Sequence, residues 1–191
     1  MFTEAERPSG MGSFLCVELL DFAAAERRQA GPAALPSCGP DECPGLAHLP
    51  VLARAAEPDP ADAADALLRR FGSALFVTLL RRYPSFFVGI DSTCGLLSAF
   101  ERQLAAEIAK LAPSVLLPSI RVDACDARGL RFTCRFPDGR DDAAPLVEGL
   151  VVGSARHFGE PLAVTWRRDA EPGVAAFVVA PPACAAAGRG G

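Results

Sequence analysis

The first half of the chain places its apolar residues at helical spacing, in runs separated by proline and glycine. "MGSFLCVELLDFAAAERR" predicts a first helix whose apolar side holds Phe14, Val17 and Leu20. "QAGPAALPSCGPDECPG" is too rich in proline and glycine for regular structure and predicts a linker. A short helix follows around "LAHLPVLARAAE". Asp59 can cap the next helix, with Pro60 in its first turn. That helix is expected to reach about Arg70, with Gly72 bending or breaking it. A second apolar helix, "SALFVTLLRR", should end before Pro84. Asp91 or Ser92 then caps a longer helix that stops at Pro113. Its apolar stripe is Leu97, Phe100, Leu104, Ile108 and Leu111. The flank beside that stripe carries only small side chains: Cys94, Ser98, Ala105, Ala109 and Ala112. A bare flank on a core helix implies a close neighbour or a missing group.

After Pro113 the period changes. "SIRVDAC" and "LRFTCRF" flank "DARG" and predict a hairpin. "PDGR" predicts a second tight turn, because proline presets one dihedral and glycine takes positive φ. "APLVEGLVVGSARHFG" predicts a helix with Gly159 as its stop. "LAVTWRR" and "GVAAFVVA" predict two further strands. The order is helices first, then β-β-α-β-β. It predicts an α+β fold, with an N-terminal helical lobe packed on a C-terminal antiparallel sheet. The expected division is a disordered extension over 1–10 and one domain over 11–180, followed by a disordered tail over 181–191. Within the domain, 11–112 form the helical lobe and 113–180 the α+β lobe. Met11 is an alternative start.

Composition narrows the function. The 191 residues are 50% hydrophobic and carry a formal net charge of −4. That balance argues against a nucleic-acid binder, which needs a concentrated basic surface. No run of 18 apolar residues exists to cross a membrane. The acidic, polar start "MFTEAERPSG" lacks the order of a signal peptide, so a cytoplasmic location is expected. In that compartment the seven cysteines are expected as free thiols. Cys38, Cys43 and His48 are the densest group of possible metal ligands, but they include no C-x-x-C pair.

Enzyme signatures are missing. The only histidines are His48 and His157, and no serine sits in a G-x-S-x-G elbow. No glycine-rich phosphate loop opens a helix. Asp141 and Asp142 adjoin Arg140 without marking an acid–base pair. His157 falls in a last helical turn, where a cation suits the helix dipole. The expectation is a protein that is not an enzyme.

Several short stretches recur in a familiar order: "LLRRFGSALFVTLLRRYPSFF", a helix ending in a proline before "PSI", and "LVEGLVVGSARHFGEPLAV". With "MGSFLCVELLDFAAA" they resemble the haem nitric oxide/oxygen-binding (H-NOX, HNOB) domains, over about residues 11–180. These are the gas-sensing modules of soluble guanylate cyclases and bacterial signalling proteins. The resemblance implies a cytoplasmic regulatory domain, haem as cofactor, and a cyclase, kinase or receptor as signalling partner.

In that family a histidine eight residues before the helix-ending proline binds the iron. Counting back from Pro113 gives Ala105, which has no donor atom. The family's Tyr-x-Ser-x-Arg motif, which holds the haem propionates, falls on Phe136, Asp138 and Arg140. Phe136 lacks the hydroxyl, Asp138 places an anion beside a propionate, and Arg140 alone matches. Cys94 and Cys16 are conceivable substitute ligands. The resemblance therefore implies a divergent member, weakened in haem ligation, that senses a small hydrophobic or tetrapyrrole ligand or a protein partner. Two alternatives are a gas sensor with a non-histidine ligand and a structural interaction module with a collapsed pocket. Arg140 is expected to face the cleft between helices and sheet, where it could receive an anionic headgroup.

Overall fold

The structure, a computed structural model, describes residues 18–19, 21–25, 49–56, 61–106, 117–126, 129–137 and 139–182. The expectations for 1–17, the linker, the Asp59 cap, Pro113 and the tail lie outside these residues. Residues 18–19 and 21–25 are helical. Helix α1 is Leu49–Ala56 and α2 is Ala61–Arg82. A 3₁₀ turn, Pro84–Phe87, precedes α3, Thr93–Ala99, which passes directly into a π-helical segment, Phe100–Leu104. Strands β1 (Ser119–Asp126) and β2 (Gly129–Arg135) precede helix α4 (Ala144–His157). Strands β3 (Ala163–Arg168) and β4 (Val174–Ala180) follow it. The sheet is antiparallel throughout, in the order β1-β2-β4-β3. This is the α+β arrangement with β-β-α-β-β order read from the sequence.

Gly72 does not break α2, which runs unbroken for 22 residues. The reason is tertiary. A Cβ on Gly72 would stand 2.3 Å from the Leu146 carbonyl oxygen of α4. A Cβ on Gly149 would stand 2.1 Å from the Arg69 carbonyl oxygen of α2. The two helices cross with their backbones in contact, and the glycines provide the clearance.

Two cores share α4 as a wall. On one side Leu19, Leu49, Leu67, Phe71 and Leu146 pack the helices together. On the other side Leu97, Val147 and Val151 cover the sheet residues Phe132, Phe177 and Val179. Phe132 and Phe177 face each other across β2 and β4 with ring centroids 4.6 Å apart. The sheet edge of α4 is tied down by a polar group. Glu148 Oε2 accepts hydrogen bonds from Arg69 Nε at 2.7 Å and Trp166 Nε1 at 2.9 Å. One carboxylate thus joins α2, α4 and β3. Glu148→Ala would strand a part-buried indole N–H and a guanidinium. It is expected to cost about 2–3 kcal/mol in urea denaturation, with Glu148→Gln recovering part of the loss.

Helix α3 is positioned by its ends. Ser92, rather than Asp91, is the cap: its Oγ accepts the Gly95 N–H at 3.1 Å. The Thr93 N–H donates to Glu160 Oε2 at 3.0 Å, just beyond the Gly159 stop of α4. The buried Ser154 hydroxyl of α4 lies 3.3 Å from Thr93 Oγ1. These contacts fix the start of α3 against the end of α4.

Candidate functional site

Between the helices and the sheet lies a cavity of about 170 Å³. Leu97 of α3, Phe100 of the π-helical segment, Val147 and Val151 of α4, Ile120 of β1 and Phe136 beyond β2 contribute to its wall. Pro84 ends α2 and turns the chain, which brings an aromatic cluster to one side. Tyr83 and Phe86 stack at 5.7 Å, and Phe87 meets Phe76 edge-on at 5.7 Å. Among the described residues, no charged, amide or imidazole side chain lines this space, and the Tyr83 hydroxyl is the only side-chain heteroatom among those that do.

The π-helical segment alters the faces read from the sequence. The Ala105 N–H bonds the Phe100 carbonyl, five residues back rather than four. The wider turn breaks the helical period between Cys94 and Ala105, so Cys94 and Ser98 are not in helical register with Ala105; Ala109 and Ala112 lie outside the described residues. Ala105 is half-buried and is not among the residues lining the cavity.

Phe136 is buried and lines the cavity. Its backbone N–H donates to the Gly173 carbonyl at 2.8 Å, where two turns meet. Asp138 lies outside the described residues. Arg140 does not face the cleft. Its side chain is 55% exposed and pairs with Asp142, which also receives Arg54 of α1 at 3.4 Å. The correction has a simple cause. A carboxylate two residues away offers the guanidinium a solvated partner, whereas the cavity offers no acceptor that could compensate for desolvation.

The cysteines also depart from expectation. Cys94 and Cys125 form a disulfide, with Cα atoms 6.5 Å apart, linking the start of α3 to β1. Cys94 is therefore no iron ligand in this state. Cys134 is a free thiol buried in the sheet core, and burial pushes its pKa up to about 12. It stays protonated at neutral pH and is neither a nucleophile nor a metal ligand there. Cys16, Cys38, Cys43 and His48 lie outside the described residues. Among the described residues no group of three His, Cys, Asp or Glu side chains is placed to hold a metal. His157 is exposed at the end of α4, its ring against Phe158 at 5.0 Å and Phe76 at 5.7 Å. No helix among the described residues is long and apolar enough to cross a membrane.

Sequence reading expected a cleft between helices and sheet but missed its aromatic lining, the π-helical segment and the disulfide. The aromatic run "YPSFF" was the available signal for the cavity, since it crowds three aromatic rings around one proline.

The family profile described as Haem-NO-binding matches residues 47–166. No protein of curated function matches the chain in sequence. Solved structures do match in fold. The Fe(II) unliganded H-NOX protein from K. algicida has a TM-score of 0.67 at 14% identity, covering 88% of this chain and 95% of that one. The S. oneidensis H-NOX protein in the Fe(II)NO ligation state gives 0.61 at 17% identity, covering 87% and 97%. The IWP-051-bound H-NOX from Shewanella woodyi in the Fe(II)CO ligation state gives 0.58 at 19% identity, covering 88% and 93%.

Proposed function

The chain belongs to the haem-NO-binding (H-NOX) family, and on that premise we propose that it is a regulatory sensor domain that has given up haem ligation. In this reading it acts as a ligand- or partner-binding signalling module, with a cyclase, kinase or receptor as the class of effector that the family implies. The observation that carries the proposal is the chemistry of the cavity wall. A haem needs an axial donor for its iron and cationic or hydroxyl partners for its two carboxylates. The residues here do not fit it. At the positions where the family places its haem contacts, Ala105 carries only a methyl group and lies off the cavity wall, Phe136 puts a ring without a hydroxyl on that wall, and Arg140 sits on the surface with Asp142. Cys94 is engaged with Cys125. A cavity of about 170 Å³ must also open several-fold before a whole macrocycle could enter.

The expected result is protein that purifies without a Soret band after expression with excess haem precursor, and that shows no saturable haem uptake in titration. A pyridine-haemochrome assay giving one haem per chain would sink the proposal. The Tyr83 hydroxyl would then be the first ligand to test, since a tyrosinate can hold haem iron.

A further inference from the structure

Resting on the haem-free reading above, we propose that the cavity is a binding site for a small, uncharged aromatic molecule of one ring with short substituents. Size is the first argument. An engineered apolar cavity of about 150 Å³ lined by leucine, isoleucine and phenylalanine stays dry and takes benzene. The cavity here has a similar volume, about 170 Å³, and is partly open to solvent.

Polarity is the second argument. Water in this space would find too few partners, because the side chains of the described wall are carbon apart from one phenol oxygen. A carboxylate or ammonium group would lose its hydration and gain no counter-charge. Arg140, the cation expected from the motif, lies on the surface with Asp142. The described wall therefore offers no charged partner to an anionic headgroup or to a fatty acid held by its carboxylate.

Shape is the third argument. Phe76, Phe87, Tyr83 and Phe86 stand against one another edge-on and stacked around one side of the space, and Phe100 closes another. Such walls offer ring edges and faces to a flat guest. The guest would touch α2, α3, the π-helical segment, α4 and β1 at once. Occupancy would stiffen the junction of the two cores, giving the domain two states that differ in rigidity.

Toluene and benzoate are the probes, tested on the full chain by thermal melting and ligand-observed NMR. Toluene is expected to raise the melting temperature in a concentration-dependent way, and benzoate to leave it unchanged. Two filling variants, Leu96→Trp and Leu79→Phe, enlarge residues of the wall. At least one should fold and weaken toluene binding by about tenfold or more, the loss expected when the apolar space is taken. Toluene without effect on haem-free protein would overturn this inference and leave the functional reading standing. So would equal binding of benzoate, or unchanged toluene binding in folded filling variants. Stoichiometric haem uptake would overturn the functional reading itself and this inference with it.

Discussion

Gly149→Val is expected to abolish the cooperative unfolding transition, and Gly149→Ala to lower stability by about 3 kcal/mol or more, beyond the usual range for overpacking. A Cβ at this position would lie 2.1 Å from the Arg69 carbonyl oxygen and 2.8 Å from its carbonyl carbon. Those atoms belong to helical backbone and cannot rotate away as a flexible side chain could. The helices must separate, and Gly153 and Gly72 oppose any sliding, because they meet Ser73 and Leu146 backbone atoms in the same seam. Separation is doubly expensive because α4 is the wall of both cores. The intrinsic helix propensity gained by replacing glycine with alanine, about 1 kcal/mol, is too small to offset this. Urea denaturation followed by circular dichroism reads the loss. Gly89→Ala is the control: glycine there has φ +78° and nothing within 4 Å, so only the local backbone penalty should appear. Equal losses for Gly89→Ala and Gly149→Ala would show that the helix seam is looser than described.

The same seam shows where sequence reading succeeds and where it stops. That the stretch of α2 is helical was legible, though as two helices rather than one, because helical periodicity is a local property. The meaning of Gly72 was not, because the contact that requires it comes from Leu146, far away in the chain. Turn chemistry was equally local. "DARG" and "PDGR" marked the β1–β2 hairpin and the turn after Phe136, and Gly139 and Gly159 both take φ +70° as turn and stop residues should.

The candidate site was legible only in part. Phe136 was picked out by motif position and does line the cavity. Ala105 was identified by counting along a helix, and counting cannot reveal that a π-helical segment shifts the faces before it. Arg140 followed the motif into an expected cleft, but the choice between cleft and solvent was settled by Asp142. A void leaves little mark in a sequence beyond the crowding of aromatic residues in "YPSFF". The residues that surround one are the same leucines, valines and phenylalanines that would fill it.

Reduction of the Cys94–Cys125 disulfide is expected to cost roughly 3–4 kcal/mol, the chain-entropy value for a loop of this length; the two cysteines are 31 residues apart. The loop includes α3 and the π-helical segment, so the cross-link restrains the unfolded chain over part of the cavity wall. In the folded protein the bond joins α3 to β1, which is an edge strand paired on one side only, with β2. Among the described residues the other restraints on α3 and the segment after it are the Ser92 cap, the contacts of Thr93 with Glu160 and Ser154, the packing of Leu97 in the sheet core, and the Val122 N–H, which donates to Glu101 Oε2 at 3.3 Å. Without the disulfide, Leu96, Leu97 and Phe100 lose their covalent anchor while still facing the cavity. Exchange should proceed from the exposed Cys125 side, because Cys134 is buried with its thiol pKa pushed up to about 12 and supplies no thiolate at neutral pH. Urea denaturation with and without dithiothreitol measures the effect. Cys94→Ser/Cys125→Ser should already show the lower midpoint and should not respond to the reductant. The order of events can be read as well. Toluene affinity should fall before helicity does as the wild type is reduced, because the cavity wall loosens at the anchored end of α3 while α2 and α4 remain packed through their glycine seam. An unchanged midpoint on reduction, with the thiols verified as free, would show that α3 is held to the sheet without the bond.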